Sequence, residues 1–137
     1  MNAVRTFIDT NILIYAFTAD EPEKQKKALK AMDDCLPVIS TQVLKEFSNV
    51  LLRKTNIGIK NIQGIISEII DVADVANEEL ALIFASFDIY KRYRFSFYDS
   101  LVISTAIHSK CKVLLSEDMQ DRQIIDEKLK IVNPFNE

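Results

Sequence analysis

Apolar positions in this chain fall into short dense clusters and into longer stretches where they recur every three or four residues. The first pattern marks buried strands and the second amphipathic helices. Val4 to Ile8, Pro37 to Ile39, Val113 to Leu115 and Leu129 to Val132 are the clusters. After the first, a turn at Asp9-Thr10-Asn11 leads into an apolar stretch ending at Phe17. Pro22 suits a first helical turn, with Ala28, Ala31, Met32 and Cys35 on one face. Ser40 or Thr41 can cap a helix carrying Val43, Leu44, Phe47, Val50 and Leu51. Asn61 can cap the next, whose stripe is Ile62, Ile65, Ile66, Ile69 and Ile70. Asn77-Glu78-Glu79 opens a helix running to about Tyr93, with Leu80, Ile83, Phe84 and Phe87 expected inward. A shorter helix spans Phe97 to about Ser109, and a polar turn with a short helix near Ile124 separates the last two strands.

Strands alternating with helices predict a parallel sheet covered on both faces, an α/β sandwich of about four or five short strands. No repeat, low-complexity tract or flexible linker interrupts residues 1–137, so one continuous domain is expected. Ligands of such sheets gather outside the carboxyl ends of the strands. Asp9 and Asp118 each follow a strand and are expected at that edge.

These two belong to a set of four acids set beside strongly apolar segments. Glu46 lies in Val43-Leu44-Lys45-Glu46-Phe47, and Asp99 in Phe97-Tyr98-Asp99-Ser100-Leu101. A carboxylate next to a core needs hydrogen-bond donors, a cation or a raised pKa. Each has an ordinary explanation on its own. Asp9 suits a helix N-cap, Glu46 borders the apolar stripe within reach of Arg53, and Asp118 suits the turn Ser116-Glu117-Asp118. Asp99 could complete a capping box with Ser96, yet it projects onto the arc of Val102, Ile103, Ala106 and Ile107, which a cap does not explain. Taken together, clustered carboxylates repel one another unless a cation relieves them. An all-oxygen set without His ligands points to Mg²⁺ or Mn²⁺, whose most frequent use is activating water against phosphate esters. Glu117 and Asp121 are further candidates around the last acid.

Composition narrows the alternatives. Of 137 residues 48% are hydrophobic and 27% charged, as in ordinary globular chains, and no apolar run reaches membrane-helix length. The N-terminus lacks the pattern of a signal peptide. Cys35 and Cys111 stand far apart outside any CxxC pattern, which favours free thiols in a reducing cytosol and a cytoplasmic protein. Two glycines leave no P-loop or dinucleotide fingerprint, and the lone His108 supplies neither a zinc set nor a triad base. The net charge of −3 leaves room for a local basic groove. Lys91-Arg92-Tyr93-Arg94-Phe95, cations interleaved with aromatics, is the segment suited to phosphate contact and base stacking. An ordinary basic helix C-terminus explains it about as well. Arg53, Lys45 and Arg122 are weaker candidates.

At its acidic motifs the chain resembles the PIN-domain ribonucleases, a family that includes the VapC-type toxins. Phe7-Ile8-Asp9-Thr10-Asn11-Ile12-Leu13 resembles the opening motif, with Asn11 as supporting polar group. Glu46 falls where the family's helical Glu does, Phe97-Tyr98-Asp99-Ser100-Leu101 resembles the third motif, and Leu115-Ser116-Glu117-Asp118-Met119 the fourth, with Ser116 in support. The resemblance spans nearly all of the chain. It implies a PIN-like three-layer fold and a Mg²⁺- or Mn²⁺-dependent endoribonuclease with Asp9, Glu46, Asp99 and Asp118 as catalytic metal ligands and Asp121 as an auxiliary one. It also implies a homodimer and a small antitoxin that masks the active site.

The competing expectation is a receiver-like phosphoacceptor or a phosphatase-like Mg²⁺-binding domain. The first needs a late-strand Lys where this chain has Leu114-Leu115-Ser116-Glu117, and the second needs a DxD where it has Asp9-Thr10-Asn11.

Overall fold

Strand order places the N-terminal cluster at the centre of the molecule. The computed structural model describes residues 3–77 and 79–136. Its elements run β1 (Arg5–Ile8), α1 (Thr10–Phe17), α2 (Pro22–Asp33), β2 (Leu36–Ser40), α3 (Thr41–Lys54), α4 (Ile59–Val72), β3 (Asp74–Ala76), α5 (Leu80–Tyr93), α6 (Phe97–His108), β4 (Val113–Leu115), β5 (Ile124–Ile125) and β6 (Leu129–Val132). The sheet order is β3-β2-β1-β4-β6-β5, parallel except for β5, which runs antiparallel to β6. It is the predicted mostly parallel sandwich, with six strands rather than four or five.

Register explains the burial. Phe7 pairs with Val38 on one side and Leu114 on the other, and all three are buried. The helices close over this centre with Ile12 and Leu13 of α1, Val43, Phe47 and Leu51 of α3, and Ile103 and Ala106 of α6. Ser40 is the α3 cap, accepting from the Val43 amide at 3.2 Å. No described helix is long and apolar enough to cross a membrane.

Four expectations change. Helix α4 begins at Ile59 with Gly58 as N-cap, ahead of the predicted Asn61. Strand β3 was not predicted, since this edge strand buries none of its three residues fully and no apolar cluster marks it. Around Ile124 a two-residue strand replaces the predicted short helix. Its hairpin turn holds Asp126 at φ 53° and Glu127 at φ 58°, a left-handed pair of the kind that matches strand twist. Asp tolerates that backbone but Glu does not favour it, and distant contacts help hold the turn. Arg92 and Tyr93 bond the Asp126 carboxylate, and the Tyr93 hydroxyl accepts from the Asp126 amide at 3.0 Å. The Arg92 guanidinium draws the Asp126 carboxyl down to about 2.

The fourth change concerns α5, which buries Leu82, Ser86 and Ile89 against its surroundings. The face predicted inward is exposed, with Leu80 at 77%, Phe84 at 74% and Phe87 at 54%. Apolar residues surround this helix, so two faces share helical spacing and only packing with α6 selects one. Its first predicted turn includes Glu78, which lies outside the described residues; the helix starts at Leu80 after Glu79.

Candidate active site

Between β1 and β4 the sheet changes direction. Connections from β1 step toward β2 on one side, and β4 and β6 extend the other, leaving a crevice at their carboxyl ends. Backbone pairing continues past the strands there. The Asp9 amide donates to Leu115 O and the Ser116 amide to Val132 O, each at 3.1 Å. These bonds set Asp9 and Ser116 side by side, and the Ser116 hydroxyl donates to Asp9 Oδ2 at 3.0 Å. Asp9 is also the α1 N-cap, its Oδ1 accepting from the Thr10 amide at 2.8 Å.

Helices bring the other acids. Thr10 Oγ1 donates to Glu46 Oε1 at 3.1 Å, tying α1 to α3, and Asn11 Nδ2 donates to Asp118 Oδ2 at 2.6 Å. Ser96 caps α6 by accepting from the Asp99 amide, which fixes Asp99 in its first turn. Asp9, Glu46, Asp99 and Asp118 all line one cleft of about 240 Å³, together with Thr10, Asn11, Gln42 and Tyr98.

The electrostatics follow from this crowding. Burial pushes the Asp9 carboxyl up to about 6. The Thr10 and Ser116 hydrogen bonds oppose that rise, and the charges of Asp99 and Glu46 add to it. Asp99 is raised as well, mainly by burial and further by the Asp118 charge, against the Ser96 hydroxyl. Asp9 therefore feels Asp99 and Glu46, Asp99 feels Asp118, and the cleft favours a cation.

The donor set suits a hard divalent ion. All four charged groups lining the cleft are carboxylates, while His108 lines a different groove, between α5 and α6. Among the described residues no three acidic, His or Cys side chains form a close ligand cage.

Not every candidate gathers here. Asp121 is absent from the lining, and its oxygens accept from the Asn133 amide at 2.8 Å and Asn136 Nδ2 at 3.1 Å. Those bonds lower its pKa, the Asn133 amide most. Glu117 turns to the Tyr15 hydroxyl and Lys24. Arg53 and Lys45 are exposed on α3 outside the cleft, as is Arg122 in the loop before β5. Arg92 is held by Asp88 and Asp126, whereas Lys91 and Arg94 line a separate open cleft. Thr10, Gln42 and Tyr98 escaped the sequence reading; for Thr10 the adjacency to Asp9 was the one available signal.

A model of the PIN domain family matches residues 6–125. A comparison with curated protein sequences gives no match. Three solved structures share the architecture. A toxin–antitoxin complex from Klebsiella pneumoniae aligns with TM-score 0.72 and 17% identity, over 95% of this chain and 98% of its own. VapC20 of Mycobacterium tuberculosis, a sarcin-ricin-loop-cleaving toxin, aligns at 0.67 and 16%, over 82% and 91%. VapBC2 of Rickettsia felis, bound to a promoter DNA fragment, aligns at 0.68 and 15%, over 94% and 99%. At these identities the likeness is one of fold.

Proposed function

This chain belongs to the PIN domain family, and from that membership we propose that it is a Mg²⁺- or Mn²⁺-dependent endoribonuclease, the toxin of a toxin–antitoxin pair. One observation carries the reading: acids from the end of β1, from α3 and α6 and from the loop after β4 line one cleft at the carboxyl edge of the sheet. A divalent ion bound there supplies charge neutralisation at the scissile phosphate and a water of lowered pKa. Asp9, Glu46, Asp99 and Asp118 would hold it, directly or through water. Asp9 is aimed by Ser116 and the Thr10 amide, Glu46 by Thr10, and Asp118 by Asn11. Glu46 Oε2 and Asp118 Oδ1 stand outside these bonds, while each Asp9 oxygen accepts one hydrogen bond and keeps a second lone pair. The rigidity of these bonds sets the geometry in which water meets phosphorus.

Incubation of the protein with single-stranded RNA and Mg²⁺ or Mn²⁺ is expected to give products with 5′-phosphate and 3′-hydroxyl ends, and EDTA to stop the reaction. Products ending in 2′,3′-cyclic phosphate would overturn the mechanism.

The neighbouring folds support an antitoxin as partner, since one is a toxin–antitoxin complex and another is VapBC2 bound to promoter DNA. A short adjacent reading frame whose product inhibits cleavage is the expected companion; a product that leaves cleavage intact would remove the toxin role and spare the nuclease. The exposed apolar face of α5 supports a homodimer. Phe84→Glu is then expected to halve the mass measured by light scattering. An unchanged mass would move the interface elsewhere.

A further inference from the structure

We propose that the open cleft at the end of α5 is a strand-holding subsite that feeds single-stranded RNA into the acidic cleft; this rests on the nuclease reading. The cleft encloses about 510 Å³ and is lined by Tyr90, Lys91, Arg94, Phe95 and Ser96. Its position is set by chain continuity. Ser96 caps α6, Asp99 stands in the first turn of that helix, and Tyr98 lines the acidic cleft while 65% exposed. Cation and ring therefore lead, within one short segment, to the acids.

The charges there are available. Arg92 is neutralised by Asp88 and Asp126, so the basic segment is divided between two tasks. Lys91 and Arg94 have no ion pair among the described residues. An acidic active site repels a polyanion, and unpaired cations beside it offset that repulsion. Tyr90 and Phe95 supply flat apolar surface next to the cations, the combination that holds phosphates and stacks bases without regard to sequence. An apolar partner surface would leave both cations buried without counter-charge.

Arg94 carries a second signature. It ends α5 in the left-handed region at φ 62°, with its amide donating to Tyr90 O at 2.9 Å. Glycine takes that position without strain. An arginine there is locally unfavourable, as are Lys110 and Arg122 in the same region, so Arg94 can be exchanged for glycine without loss of the turn.

The test uses a labelled single-stranded RNA of about 12 nucleotides, within the range such grooves occupy. Lys91→Glu with Arg94→Glu is expected to raise KM at least tenfold, with the loss on KM rather than on kcat. By fluorescence anisotropy the slope of log affinity against log salt should become shallower by about 1.4, two phosphate contacts on a single strand. Arg94→Gly separates binding from folding: thermal midpoint is expected to rise while RNA affinity falls. Unchanged affinity and salt slope in both variants would overturn the subsite. So would a change in self-association or antitoxin binding with RNA affinity intact, which would make this face a protein interface. If the wild type binds RNA here but cuts none with metal present, the nuclease reading fails and the anisotropy result still decides the subsite.

Discussion

Asp9→Asn is expected to lower RNA cleavage at least a hundredfold while making the metal-free protein more stable at pH 8. The two effects share one cause. Burial and the neighbouring charges of Asp99 and Glu46 raise the folded-state pKa of Asp9 from 3.8 to about 6. The folded protein thus holds this proton more tightly than the unfolded chain. Its gain from doing so is complete below pH 3.8 and is lost as pH rises through about 6. At pH 8 the ionised group burdens the fold by about 3 kcal/mol at most, and the partial exposure of Asp9 reduces this to about 1–2 kcal/mol. Asparagine removes that burden. Its amide oxygen still accepts from Thr10, and its amino group can donate to Ser116. The variant loses a charged oxygen donor for the ion, and removal of such electrostatic stabilisation typically lowers rate by two to three orders of magnitude. Thermal melts at pH 8 check both halves. Mg²⁺ should raise the midpoint of the wild type and leave that of Asp9→Asn unmoved. In the wild type the Mg²⁺ effect and cleavage should fade together as pH drops below about 6. A variant that melts lower than the wild type without metal would contradict the electrostatic account.

Phe47→Ala is expected to produce the largest loss of stability, about 3–5 kcal/mol by the usual cost of removing a buried aromatic ring. Phe47 is fully buried on α3 and meets Phe17 of α1 edge-on, with ring centroids 6.1 Å apart. Against a total of about 5–15 kcal/mol for a domain of this kind, the loss is a large share. Urea denaturation should show it directly, and in thermal melts the midpoint should fall by roughly 10 °C or more. The same contact helps hold α1 against α3, which Thr10 and Glu46 also bridge. Activity per folded molecule should therefore drop as well. A loss under about 1 kcal/mol would mean the two helices do not rely on this contact.

Much of the architecture is legible because the central strands are dense, short and bounded by turns. Thr6-Phe7-Ile8 and Val113-Leu114-Leu115 admit few other readings, and the acids directly after them then fall at one edge. The exposed face of α5 was not legible. Leu80, Ile83, Phe84 and Phe87 obey helical spacing as well as Leu82, Ser86 and Ile89 do, and a buried serine gives no hydrophobic signal. Ser86 is accommodated by bonding Leu82 O at 2.6 Å, a local solution that composition does not reveal. The hairpin at Asp126 was hidden for another reason: its backbone is set by Arg92 and Tyr93, more than thirty residues earlier. At the site, residue types pointed to the carboxylates, whereas their bridging partners depend on register. Thr10 reaches Glu46 only because α1 and α3 lie together. Asp121 resembled a ligand by proximity in sequence, yet it ties down the segment around Asn133 and Asn136.

The central position of β1 also bears on the protein's synthesis. One edge of this first strand can pair early with β2, but the other must wait for Val113–Leu115 to leave the ribosome. Until then Asp9 lacks its serine partner, and the incipient enzyme has no assembled centre. Pairing over such long separations is slow to nucleate. The acidic cleft is therefore complete only after β4 has paired with β1.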